Sequence, residues 1–350
     1  MRSFILLLAA LLAAPVAASE DMLGPLRLRD LTPFALQRLD FLPASAASRY
    51  PVGWAVEANA SFTNTFIMSD NVGSYLQDRN RRARLEAADF AALGQLEGDA
   101  FYFDGSIAVL NLTFHYGIND RLAFYGILPV HHYHGGSLDQ AIEDFHDAAG
   151  FSDFGRPLVA RDQFQAYFKV GGQELVMSNA PRSTGLADPV IGLRSRGYTW
   201  HGWDVVLEAA LKLPWGADDP LFSSGHVDFG TQLSLQRQWD NHGLYFSVNH
   251  VFFGGSDDFG KAVHRQIPGF TAAWETRLGS ATTGILQFSA ARSLFKGDTD
   301  PELSAHQYQV SAGLRHRRGG VYYTFALTEN VINFQNTPDI GFHFGVAFAL

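Results

Sequence analysis

Large apolar residues alternate with small or polar ones through most of this 350-residue chain, and that pattern leaves few folds open. In 54–68, Trp54, Val56, Ala58, Ala60, Phe62, Phe66 and Met68 share one face, while Glu57, Asn59, Ser61, Thr63 and Thr65 share the other. In 203–215, Trp203, Val205, Leu207, Ala209, Leu211, Leu213 and Trp215 oppose Asp204, Glu208 and Lys212. The pattern recurs in 227–239, 244–252, 270–278, 282–294, 308–316 and 321–327, and 101–118 and 122–132 pair about the turn INDR. It returns in GFHFGVAFAL, 341–350. Period-two alternation marks strands with one apolar face. At about 9–14 residues these segments exceed the ~5–6 common in soluble sheets and approach the ~9–11 of a tilted membrane-crossing strand.

The connections alternate in length. Short ones (117–120, 197–202, 240–243, 279–282, 317–320) lie between long polar ones (69–99, 134–187, 216–226, 254–266, 295–305, 330–339). Short periplasmic turns and long external loops characterise outer-membrane barrels, and pairing the last strand with the first removes both sheet edges. The expected fold is therefore all-β: a transmembrane antiparallel up-and-down β-barrel of about twelve strands, with long external loops and one short loop helix.

At the N-terminus, Arg2, an apolar run from Phe4 and the small residues Val16-Ala17-Ala18 read as a signal peptide, 1–18, that is cleaved. Residues 19–51 lack alternation and are expected to be a periplasmic or lumen-inserted segment, with the barrel spanning 52–350. The chain has no cysteine, so neither a disulfide framework nor a lipid-modified cysteine is expected. A net charge of −9 argues against a nucleic-acid partner. The expected location is the outer membrane of a Gram-negative bacterium, among its lipids and lipopolysaccharide, and the aromatic-rich final strand is expected to engage the barrel assembly machinery.

Charge is sorted by side. Arg121, Arg194, Arg196, Arg237, Arg277, Arg315, Arg317 and Arg318 lie near the short turns, and Asp218, Asp219, Asp257, Asp258, Asp298, Asp300 and Glu302 lie in the long loops. The strand pattern turns Glu57, Arg194, Asp204, Glu208, Lys212, Glu275, Arg277 and Arg315 toward the lumen. In 136–150, Ser137 and Gln140 have capping-box spacing and Gly150 is a stop signal. The helix so predicted carries an apolar stripe of Leu138, Ala141, Ile142, Phe145 and Ala149 against a face of Asp139, Glu143, Asp144, His146 and Asp147. It is expected to lid the mouth with that acidic face toward the aqueous path.

The stretches GPLRLRDLTPFALQRLDFLP, FDGSIAVLNLTFHYGINDRLAFYGILPVHHYHGGSLDQAIEDFHDAAGF, GLADPVIGLRSR and LEAALKLPWG resemble a bacterial family known only as domain of unknown function 3187. The most specific part surrounds His134-Gly135-Gly136, Asp139, Ile142-Glu143 and Phe145-His146-Asp147. Ala187 stands in GLADP where the family usually has glycine. The resemblance implies an outer-membrane barrel and supplies no catalytic residues.

Function is bounded by what is missing. GxSxG, HExxH, GxxxxGK[ST] and GxGxxG motifs are absent, so no catalytic residues and no cofactor are assigned. His131, His132, His134 and His146 with Asp139 and Glu143 are chemically suited to a metal but lack a recognised ligand spacing, and no metal is assigned. The expected function is passive passage or binding of a small solute, with His134, Asp139, Glu143, Asp144, His146 and Asp147 as pore or loop candidates. The alternatives are a non-conducting structural or assembly-related barrel and an outer-membrane lipid hydrolase using Ser137 and His134.

Overall fold

The computed structural model describes residues 22–45, 52–150, 152–181, 184–297, 300–333 and 336–349; the signal-peptide expectation and Leu350 lie outside these. The strands in chain order are β1 (Gly53–Met68), β2 (Ala100–Gly117), β3 (Leu122–His134), β4 (Gln165–Val170), β5 (Gln173–Met177), β6 (Thr184–Leu186), β7 (Val190–Trp200) and β8 (Trp203–Lys212). They continue with β9 (Asp228–Trp239), β10 (His242–Phe252), β11 (Gln266–Arg277), β12 (Thr282–Ala291), β13 (Gln307–Arg318), β14 (Val321–Asn330) and β15 (Ile340–Ala349). Twelve of them, β1 to β3 and β7 to β15, pair antiparallel in succession, and β15 returns to β1 from Ala55↔Ala349 to Asn64↔Ile340. The sheet is a closed antiparallel barrel with no open edge around its circumference.

Alternation sets which side chains face the lipid. On β14, Tyr323, Phe325 and Leu327 are exposed outward, whereas Ala326 is fully buried toward the interior. The short turns need little sequence: Gly319 and Gly320 both adopt positive φ (57° and 84°), which lets β13 reverse directly into β14. Aromatic rings gather at this end, with Trp54 against Tyr116 at 4.9 Å and Trp239, His242 and Trp274 in a row at 6.0 and 5.7 Å. Such rings suit the membrane–water boundary, being apolar with a polar tip.

At the opposite end the wall is taller on one side. Residues Ala100–Asp104 of β2 run past β3 and pair instead with β4, which carries β5. The outer face of this extension is covered by α1 (Asp70–Arg79) and α2 (Ala87–Gly94), which bury Val72, Leu76, Phe90 and Leu93 on Phe66, Tyr102 and Tyr167. Neither helix is apparent from the sequence. Helix α1 offers only Val72 and Leu76 to its apolar face, too few for a clear period of 3.6.

The long-loop half of the lumen is packed rather than open. Wall residues Phe101, Phe103 and Tyr133 meet loop residues Phe222, Phe259 and Phe295 and, from the N-terminal segment, Phe34, Leu36 and Leu39. Each such side chain removed from water is worth about 1.5–3 kcal/mol.

Candidate functional site: a lumen filled by the chain's own N-terminal hairpin

Residues 22–45 enter from the short-turn end, bend at the 3-10 turn Ala35–Gln37 near the long-loop end, and return. On the way in, Gly24 N–H donates to Glu275 Oε2 at 2.8 Å, and Arg27 Nε lies 2.9 Å from Glu57. At the tip, Leu39 N–H donates to Asp228 Oδ2 at 2.7 Å, and Gln37 accepts from Ser256 Oγ at 2.7 Å and donates to Asp258. On the way out, Ser45 Oγ donates to Gln236 Oε1 at 2.6 Å. The two arms are stapled to each other: Asp30 N–H donates to Asp40 at 3.0 Å, and Arg38 lies 3.2 Å from Asp40 and 3.9 Å from Asp30. No strand ladder holds this segment, so side-chain acceptors of the wall satisfy its backbone instead.

Of the lumen-facing candidates, Glu57, Arg194, Glu208, Lys212, Glu275 and Arg315 sit in this interior as compensated pairs, whereas Asp204 is exposed. Glu57 meets Arg27 and lies 3.4 Å from His115. Arg194 pairs with Glu208 at 2.9 Å, and Gln232 donates to the other Glu208 oxygen at 2.6 Å. Lys212 lies between Asp188 (2.9 Å) and Asp228 (3.5 Å). Arg315 reaches Glu275 at 3.0 Å and also donates to the carbonyls of Gly24 and Pro25 at 3.0 and 3.1 Å. Asp204 accepts from Gln236 at 3.3 Å, and Arg277 donates to Asn241. Buried charges demand such partners because desolvation of a lone ion costs several kcal/mol. Asp188 also accepts the N–H groups of Gly216 and Ser224. The neighbouring Ala187 does not adopt a positive φ, so alanine is unstrained where the family has glycine.

The loop candidates form a different structure from the one expected. Helix α3 (Asp139–Ala149) does form and stops at Gly150 with φ 72°. Its N-cap is Leu138 with no side-chain bond, so the Ser137–Gln140 capping box is not made. The expected faces are kept only in part, with Ile142 buried and Asp144 and Asp147 exposed as expected. Asp139 and Glu143 are buried with Ile142, whereas Ala141 is exposed and Phe145 is 61% exposed.

Arginines from neighbouring loops explain why Asp139 and Glu143 are buried. Asp139 accepts from Arg156 at 2.8 Å, Asn64 at 3.0 Å and Asp162 N–H at 2.7 Å, while Glu143 accepts from Arg161 Nε at 3.0 Å and from Arg82. Burial opposes ionisation of Glu143, but the Arg161 and Arg82 hydrogen bonds outweigh it and hold the carboxyl below the usual range. Since Asn64 and Phe66 lie on the outward face of β1, α3 docks outside the wall rather than across the lumen. Asp144 and Asp147 are exposed, and His146 Nδ1 lies 3.2 Å from Asp153.

The histidines are dispersed. His131 points inward, stacked on Phe222, whereas His132 and His134 stack on each other outside at 4.9 Å. His134 Nδ1 accepts Gly136 N–H, so that nitrogen is committed away from Ser137. Among the described residues no group of three or more metal-ligating side chains is assembled.

A model of the family described as "Protein of unknown function (DUF3187)" matches residues 2–350. This chain belongs to that family. The COG4313 outer membrane channel from Pseudomonas putida F1 has a similar structure at 10% identity, with a TM-score of 0.51 over 86% of this chain and 96% of that one. At that identity the likeness concerns the fold alone, that of an outer-membrane barrel. The P. putida toluene transporter TodX is more remote, at 11% identity and a TM-score of 0.41 over 86% of this chain and 91% of that one, and carries no further weight. No curated protein matches the sequence.

Proposed function

We propose that this protein is a passive outer-membrane channel for a small solute, held closed by its own N-terminal hairpin. The supporting observation is the way residues 22–45 are bound. Through the short-turn half they meet the wall by hydrogen bonds and ion pairs, such as Gly24 to Glu275 and Arg27 to Glu57, which water can replace when the hairpin moves. The long loops would face the outside and both chain ends the periplasm.

The apolar cluster at the long-loop end favours a second reading, a barrel that never conducts and serves structure alone. Single-channel recording separates the two. The full-length chain should show low open probability, and a variant lacking 22–45 but correctly inserted should conduct steadily. A silent deletion variant would leave the structural reading standing.

A further inference from the structure

Among the described residues, two small gaps between the hairpin and the wall border both β13 and β14. One, of about 50 Å³, is lined by Asn59, Ser61, Arg315, Tyr322, Thr324 and His343 among others. The second, of about 60 Å³, includes Asn249, Thr271, Ser289, Gln309, Ser311 and Thr328. Each has room for a few water molecules, given the ~10–15 Å³ that one needs.

The register of β13 with β14 places these gaps one above the other. Ser311↔Thr328 belongs to the second gap and Arg315↔Thr324 to the first, with Gly313↔Ala326 between them. Successive inward pairs on a strand are about 7 Å apart. At this middle level the wall turns apolar, and Leu26 of the hairpin fills it. Leu26 and Ala326 are fully buried and Ile285 is 3% exposed, the three forming one isolated apolar cluster. A Cβ on Gly313 would lie 2.9 Å from Leu26 Cδ2, so glycine is what lets the leucine reach the wall.

We propose that the solute route runs along this β12–β15 strip, that Leu26 seated on Gly313, Ala326 and Ile285 is its gate, and that the route takes small uncharged solutes bearing hydroxyl or amide groups. This rests on the channel reading above. Leu26 anchors this arm of the hairpin on the wall, and Leu28, which packs on the same cluster, lines both gaps; releasing Leu26 frees the two leucines together and joins the gaps.

The solute class follows from the lining. Charges at the gaps are internally balanced: Arg27 with Glu57, Arg315 with Glu275, and Arg38 with Asp30 and Asp40, whose charges also act on Arg29 while it donates to the Leu36 carbonyl. The remaining polar groups are neutral and form a cross-strand chain. Ser311 Oγ lies 2.7 Å from Thr328 Oγ1, Thr328 lies 2.9 Å from His343 Nε2, and His343 Nδ1 lies 2.8 Å from Ser61 Oγ. A row of hydroxyls and amides that can both donate and accept exchanges its partners with a polyol or sugar, and offers no fixed charge to retain an ion.

The test uses the full-length chain in planar bilayers and liposomes, with the heat-modifiable gel shift as the check on folding. Leu26→Ala should raise open probability at least ~10-fold, the change equivalent to about 1.4 kcal/mol, whereas Leu26→Met should stay near wild type. The pair Leu26→Cys with Ala326→Cys, in a chain otherwise free of cysteine, should close the channel on oxidation and reopen it with reductant. Liposomes carrying Leu26→Ala should swell faster in glucose than in gluconate or lysine of equal osmolarity. If deletion of 22–45 conducts but folded Leu26→Ala behaves as wild type, the gate is refuted while the channel stands. Faster entry of gluconate or lysine would refute the solute class. A non-conducting deletion variant would instead remove the channel reading beneath both.

Discussion

The backbone N–H of Gly24 donates to the carboxylate of Glu275 at 2.8 Å, joining the hairpin to β11 across 251 positions of sequence. The same carboxylate accepts from Tyr245, Thr283 and Arg315. Replacing Glu275 by Ala strands a buried guanidinium and releases the hairpin together. Losing one partner of a buried pair costs about 3–5 kcal/mol, so thermal unfolding should begin at lower temperature and open probability should rise. An unchanged melt would show that Arg315 finds compensation elsewhere.

Docking of α3 should depend on acid. Glu143 is held below its ordinary range in the folded protein, so its contribution is present above the unfolded carboxyl value and is lost as pH falls through the folded one. Limited proteolysis of 138–149 on folded protein should therefore accelerate on acidification below the usual glutamate range. Glu143→Gln should be cut faster at neutral pH and show a flatter pH dependence. A wild-type rate constant down to strong acid would refute this.

The final strand provides a third prediction, concerning a partner. Phe348 lies on the outward face of β15 opposite Val56. Replacing Phe348 and Leu350 by Asp is expected to abolish insertion. A basic residue at the lipid midplane costs about 2–4 kcal/mol, and acids or positions near the interface cost less, so thermodynamics alone would tolerate the pair. Complete loss of the heat-modifiable form implicates recognition by the assembly machinery, and normal insertion would refute it.

Topology can be read by protease sites. Inserted beside exposed Asp218 or Asp257, a site should be cut on intact cells, whereas one beside exposed Asp240 should be cut only after permeabilisation. The reverse result would invert the barrel.

Strand alternation and the alternation of loop lengths, both local patterns, determined the closed twelve-stranded barrel and its inward and outward faces. The inward direction of Glu57, Arg194, Glu208 and Arg315 follows from parity, because each lies an even step from its inward neighbours. Gly150 likewise marked the end of α3 by itself.

The tertiary structure decided the rest. Residues 22–45 carry no periodicity, and their partners, such as Asp228 and Glu275, lie far along the chain, so local pattern left a periplasmic and a lumen-inserted segment equally open. Hydrophobic periodicity placed Asp139 and Glu143 of α3 on the wrong side, because it assumes that carboxylates seek water. Arg82, Arg156 and Arg161, brought together from loops, let Asp139 and Glu143 be buried while Phe145 stays exposed. A paired charge loses the desolvation penalty that the pattern presumes, and only the folded chain supplies the pair.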